Sequence, residues 1–189
     1  MANPLLDRVL PGDLADLSQI IDFKGKVGDF GRLRDIAEYE LQSVSTAERP
    51  RDWLGLPVEV RLEFSWLDTG REFVQAGGRI GATLPAVCQR CLAAFELVVD
   101  TPVRVVFGQP GSDLADDDYD AWEFDGTAIL LQDVVEETVV MALPLAPLHD
   151  ADSECDALAA KCPKSGPETT RPFADLRSQM EAKDTGSKR

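Results

Sequence analysis

Apolar and polar residues alternate with a period of two over the middle of the chain, and this pattern is typical of half-buried β-strands. Every second side chain in residues 58–66 is Val, Leu, Phe or Trp, and those between are Glu, Arg or Ser. Two similar apolar runs cover residues 73–87 and 92–107, and a turn sequence, Asp68-Thr69-Gly70, separates the first two. Strands joined by short turns predict an antiparallel sheet, which can leave one face in water.

A different spacing, that of an amphipathic helix, covers residues 127–143 and ends at Pro144. Its predicted apolar face comprises Ile129, Leu130, Val134, Val135 and Met141, and its polar face Gln132, Asp133, Glu136 and Glu137. Residues 32–44 suit a short helix, or a helix that runs into a strand from residue 39. Residues 14–21 suit another short helix or the entry of a strand, and residues 23–30 suit a loop.

The remainder of the chain predicts little regular structure. Residues 144–189 are rich in proline, serine and charge, with one short helix expected over residues 172–180. The fold class predicted is therefore α+β, with an antiparallel sheet, one main packed helix and an irregular C-terminal tail. We expect a single domain over residues 1–165 and a tail over residues 166–189.

Charge limits the classes of partner. The formal net charge is −15, which argues against a protein held on nucleic acid by bulk electrostatics. Residues 111–156 hold 14 acidic and no basic side chains, whereas residues 157–189 hold 7 basic and 4 acidic ones. The acidic run at 113–120 is either a solvated loop or a surface that attracts a basic protein.

A small basic group remains a candidate for contact with phosphate. Its members are Lys24, Lys26, Arg32 and Arg34, together with Arg90 further along the chain. The alternative is a locally balanced surface, because Asp22, Asp29 and Asp35 interleave with the first four.

The sequence shows no secretory signal and no apolar run long enough to cross a bilayer, which predicts a cytosolic protein. Cysteines in the cytosol are thiols or metal ligands more often than disulfides. His149 is the only histidine, so sites that need two histidines are excluded. None of the common nucleotide-binding, hydrolase or metalloprotease motifs is present either.

The sharpest chemical feature is a CxxC element, Cys88-Gln89-Arg90-Cys91, between two predicted strands. Two thiolates at this spacing on a tight turn can bind one tetrahedral ion, as in half of a zinc site. The other half could come from Cys155 and Cys162, with His149 as a further candidate ligand. A redox pair would be expected at a helix N-terminus, whereas a strand is predicted after Cys91. Buried structural cysteines are the remaining alternative.

The order of four landmarks resembles the YceD family of large ribosomal RNA subunit accumulation proteins. They are the CQRC element, the acidic helix with Glu136-Glu137, the run Leu143-Pro144-Leu145-Ala146-Pro147-Leu148-His149 followed by a cysteine, and Arg171-Pro172-Phe173-Ala174-Asp175-Leu176. The resemblance implies a non-enzymatic factor in ribosome biogenesis. It also implies a large-subunit rRNA precursor, or a basic ribosomal or processing protein, as partner, with no membrane and no small-molecule substrate.

The sequence is also compatible with two other classes of function. One is an enzyme, either a thiol oxidoreductase that uses Cys88 and Cys91 or a metal-dependent nuclease that uses acidic residues. The other is an adaptor that binds proteins and never contacts RNA.

Overall fold

The computed structural model of this protein describes residues 3–109, 118–149 and 155. Five strands form one sheet in the order β2-β3-β4-β5-β6, and two short strands, β1 and β7, form a separate antiparallel pair. The strand bounds are Arg8–Val9 (β1), Ile20–Lys26 (β2), Pro57–Trp66 (β3), Val74–Val87 (β4), Ala94–Gly108 (β5), Asp120–Glu123 (β6) and Ile129–Leu130 (β7).

Three α-helices pack with this sheet. They are Pro11–Asp16 (α1), Gly31–Leu41 (α2) and Leu131–Ala142 (α3), and short 3₁₀ turns occur at Pro4–Leu6, Val27–Asp29 and Trp53–Gly55. The predicted α+β class is confirmed. Beside the predicted main helix α3, the structure adds α2, which is nearly as long and follows the helical alternative for residues 32–44. The predicted C-terminal tail lies outside the described residues.

Burial alternates along β3 as the sequence pattern predicts, and the strands from β2 to β5 are all antiparallel neighbours. The last strand differs, because β6 runs parallel to β5. Parallel strands need a crossover connection rather than a tight turn, and 11 residues separate Gly108 from Asp120 in the sequence. The core lies on the inner face of the sheet, where Leu62, Ile80 and Phe107 are fully buried under the helices.

The expected loop at residues 23–30 is wrong in its first half. Helix α1 ends at Asp16, and the chain then forms the edge strand β2, in which Phe23 pairs with Val60 of β3. Ile21 is buried and Phe23 packs against the core, so this strand does alternate. Lys24 and Gly25 interrupt its apolar pattern, so the sequence alone does not indicate a strand here.

The predicted helix begins four residues too early, because Ile129 and Leu130 form strand β7 and α3 begins at Leu131. The predicted faces are also wrong at two positions within α3. Met141, expected in the apolar face, is 77% exposed, and Glu136, expected in water, is only 3% exposed. Glu136 is buried because its Oε1 accepts a hydrogen bond of 3.0 Å from the backbone N–H of Arg32 in the first turn of α2. The first N–H groups of a helix have no partner within it, so this carboxyl satisfies one of them from another helix. Glu137 lies outside and pairs with the Arg32 guanidinium at 2.6 Å.

None of the helices in the described parts of the chain has the length and apolar character needed to cross a bilayer.

We expect Glu136→Ala to lower the free energy of unfolding by about 1–3 kcal/mol, because a buried helix N–H loses its acceptor. Glu137→Ala is the matched control, since it removes a solvent-exposed ion pair with the same arginine and should cost less than about 1 kcal/mol. Urea unfolding of both variants measures the difference. Equal losses would contradict the role assigned to the buried carboxyl.

Two adjacent glycines in β4 should respond differently to substitution. Gly78 has φ +147°, and a Cβ there would lie 2.0 Å from the carbonyl oxygen of Arg61 in β3. A Cβ on Gly77 would meet nothing within 4 Å. Gly78→Ala should therefore destabilise the protein by about 3 kcal/mol or prevent folding, whereas Gly77→Ala should stay within about 1 kcal/mol of the wild type. Thermal unfolding of the two alanine variants measures this difference in stability. Equal unfolding temperatures of the two variants would contradict the prediction.

Candidate metal centre

The CxxC element forms the turn that joins β4 to β5. The N–H of Cys88 donates to the Ala93 carbonyl at 3.0 Å, and the N–H of Leu92 donates to the Cys88 carbonyl at 2.9 Å. Leu92 adopts a left-handed backbone with φ +60°, which closes the turn directly after Cys91. The hairpin thereby holds both thiols at its tip.

The segment after α3 crosses this tip. Pro144 follows the helix, and the N–H of Gln89 donates to the Pro147 carbonyl at 3.0 Å. The ring of His149 packs on Phe95 of β5 with the ring centroids 4.6 Å apart. These two contacts bring His149 to the same side of the hairpin as the thiols.

Four potential ligands converge at this point. Cys88 Sγ lies 3.6 Å from Cys155 Sγ, and Cys91 Sγ lies 3.5 Å from His149 Nδ1. The ligand atoms of all four residues lie within 4.8 Å of one another. Cys88 and Cys155 are fully buried, and Cys91 and His149 are half-buried. No disulfide joins Cys88, Cys91 or Cys155.

The spacing fits a tetrahedral metal ion. Zinc bonds of about 2.3 Å to sulfur and about 2.0 Å to nitrogen place neighbouring ligand atoms about 3.5–3.8 Å apart. Both short distances in the cluster agree with these edges. A set of three thiols and one imidazole is also among the donor sets usual for structural zinc.

Local electrostatics favour a thiolate at Cys88. Burial acts to raise its pKa, but the backbone N–H groups of Cys91, Arg90 and His149 stabilise the thiolate and hold the pKa below its ordinary value. Burial raises the pKa of the Cys155 thiol instead, and the neighbouring Cys88 and Cys91 side chains add to the shift. Like charges disfavour further ionisation unless a cation neutralises them. The Cys88 thiol is therefore easier to ionise than the Cys155 thiol.

The structure assembles part of the ligand set considered in the sequence analysis. Cys88, Cys91, Cys155 and His149 lie together, and Cys162 lies outside the described residues. The sequence predicts Cys155 and Cys162 as the second pair of ligands, with His149 as a further candidate. The available signal for His149 was that five residues separate it from Cys155 in the sequence. This spacing indicates a zinc site less strongly than a second pair of cysteines does.

The basic candidates are placed among acidic side chains. Lys24 Nζ lies 2.6 Å from Glu59, Arg32 pairs with Glu137, and Arg34 pairs with Asp35. Such pairing reduces the positive charge that these three side chains offer to phosphate. Lys26 ends strand β2, and Arg90 lies in the hairpin turn, with its backbone N–H directed at the Cys88 thiol. Their role in binding stays a prediction.

One comparison with known proteins matches the part of the chain that holds the cluster. A family model described as "Large ribosomal RNA subunit accumulation protein YceD" matches residues 76–184. No curated protein and no solved structure shows a significant match. The matched region contains the hairpin of β4 and β5, helix α3 and all four clustered side chains. Since it covers more than half of the 189 residues, the chain belongs to the YceD family of large ribosomal RNA subunit accumulation proteins.

Proposed function

We propose that this protein is a non-catalytic factor required for the accumulation of large-subunit ribosomal RNA, and that it holds a structural Zn²⁺ ion. The ligands would be Cys88, Cys91, His149 and Cys155. The single observation that carries the zinc assignment is the convergence of these four side chains from two distant parts of the chain. The family match supports the ribosomal role.

The donor set favours zinc over the harder cations. Thiolate and imidazole ligands suit Zn²⁺, whereas Mg²⁺ and Ca²⁺ prefer oxygen. Four protein ligands also close a tetrahedral site and leave no position for substrate, which is the arrangement of structural zinc. The ion would fasten the segment around His149 and Cys155 to the hairpin tip, and this is a structural task.

The same arrangement supports a non-catalytic role. His149 is the only histidine of the chain, and a histidine bound to zinc cannot serve as a general base. The lowered pKa of Cys88 would suit a redox thiol, and this observation favours the oxidoreductase alternative. Cys88 is however fully buried, so an external disulfide cannot reach its sulfur without opening the hairpin.

Charge favours a protein partner over bare RNA. The formal net charge is −15, and Lys24, Arg32 and Arg34 are paired with carboxylates. Phosphate contacts need unpaired cations on one face. The ribosomal role would therefore act through a basic protein of the large subunit or of its processing machinery. Direct contact with an rRNA precursor is the second candidate, on the strength of the family description.

Full-length protein purified without chelator should contain about one Zn²⁺ per chain. Cys88→Ser should lose the ion, because a closed site that lacks one of its four ligands binds zinc far more weakly. Metal analysis by mass spectrometry, together with the unfolding temperature before and after treatment with a strong chelator, measures both effects. We expect the chelator to lower the unfolding temperature of the wild type and not that of Cys88→Ser.

Cys162→Ser is the matched control and should keep its zinc. Wild-type protein without zinc would overturn the assignment, as would a chelator that removes zinc with no change in stability. If Cys162→Ser loses its zinc and Cys155→Ser keeps it, the fourth ligand is Cys162 and not Cys155. If Cys88→Ser does not fold, the chelator experiment on the wild type still decides the point.

Cells that lack the gene should show a lower ratio of large- to small-subunit rRNA, or should accumulate the large-subunit precursor. Expression of the wild-type chain and of Cys162→Ser should restore the ratio, and Cys88→Ser should not. Quantitative gel analysis of total RNA measures it. An unchanged ratio in the deletion strain would contradict the proposed function, while leaving the zinc assignment to its own test.

A further inference from the structure

An apolar groove lies beside the metal centre, between helix α2 and the segment that follows α3. Its wall and floor include Ile36, Ala37, Leu84, Leu97, Leu145 and Pro147. Leu145 is fully exposed in spite of this position. The apolar surface of the groove therefore continues into solvent at Leu145, where a further apolar group can pack on it.

The size of the groove limits what can fill it. Its volume is about 110 Å³, whereas a cavity of about 150 Å³ holds one benzene ring. Cofactor and substrate pockets are larger, at about 300–1,000 Å³. The groove therefore has room for no more than one apolar side chain, such as one presented by a polypeptide.

We propose that this side chain is Phe173 of the same chain, carried by residues 172–180. These residues lie outside the part of the chain that the structure describes. Phe173 is the only aromatic residue after Phe124 in the sequence. Leu176 and Met180 follow it at the spacing of one helical face, so the segment can present three apolar side chains together.

The path of the chain places this segment within reach. Cys155 Sγ lies 3.6 Å from Cys88 Sγ, and Gln89, the next residue, itself lines the groove. The 18 residues from Cys155 to Phe173 can span up to about 60 Å. A tether of this kind gives the segment an effective concentration in the millimolar range, which a free partner or a second copy must exceed to compete.

Charge is complementary as well. Residues 157–189 carry a net charge of +3, from 7 basic and 4 acidic side chains, so the rest of the chain carries −18. Glu40 of α2 lines the groove, and Arg171 and Arg177 stand on either side of Phe173 in the sequence. The family match extends to residue 184, which includes the segment in the same unit as the hairpin and residues 143–147.

The test uses the full-length chain with a photoreactive phenylalanine analogue in place of Phe173. Illumination should join it to a residue of the groove, within residues 33–40, 84–89 or 143–147 or at Leu97, as mapped by peptide mass spectrometry. Mixing isotope-labelled and unlabelled protein shows whether a link forms within one chain or between two. The analogue placed at Ser187 instead is the control and should give no link to the groove.

Two substitutions at exposed apolar residues make the test specific. Leu145→Arg should abolish the link, because it puts a charge at the edge of the groove. Val98→Arg should leave the link unchanged, because Val98 is 72% exposed and does not line the groove. Neither substitution disturbs a buried side chain, so both variants should fold.

A link within one chain to the groove, lost in Leu145→Arg and kept in Val98→Arg, supports the proposal. Links only between two chains would assign the groove to a second copy and overturn it. Links elsewhere, no link at all, or a groove link that survives Leu145→Arg would overturn it too. The readout is a cross-link and measures neither zinc content nor rRNA, so it can fail while the proposed function stands, and the reverse.

Discussion

The hairpin of β4 and β5 extends beyond the strands β3 and β6 that flank it in the sheet. The packing of the C-terminal half of the described structure depends on this extension. The register between β3 and β4 runs to Val58 and Ala82, and β6 pairs with β5 only from Val105 onward. Beyond these points the hairpin has two strands alone, and an isolated two-stranded hairpin is marginally stable in water. Its inner face must therefore be covered by something other than the sheet. Helix α2 and the segment after α3 provide that cover, with His149 on Phe95 at the tip.

Helix α2 is joined through Glu136 to helix α3, from which the second covering segment continues. The Glu136 carboxyl reaches from α3 to the first turn of α2, so the position of one helix fixes that of the other. The family match begins at residue 76, after α2, yet α2 packs on β4 within the matched region. The N-terminal part of this chain is therefore structurally tied to the matched part rather than appended to it.

Local patterns in the sequence were sufficient for β3, β4 and β5, and burial in β3 follows side-chain type at a period of two. They were insufficient where a distant group decides burial. Glu136 is buried because an N–H of α2 needs an acceptor, and no property of residues 127–143 shows this. The strand β2 depends on pairing with β3. Its alternation cannot be recognised in the sequence, because Lys24 and Gly25 interrupt the apolar pattern. The parallel direction of β6 also depends on long-range pairing.

The candidate site was predictable in one half only. The CxxC spacing alone identifies Cys88 and Cys91 as a pair that can share a metal ion, since the turn that holds them is local. The choice of His149 depends on the path after α3, which Pro144 and the hydrogen bond from Gln89 to Pro147 determine. That hydrogen bond also sets one wall of the apolar groove. The cluster and the groove therefore share a single short segment, and fastening its far end at His149 holds the groove wall in place. The proposed zinc ion would hold the far end of this segment at His149, and it would in this way shape the surface proposed for Phe173 although it has no open coordination site.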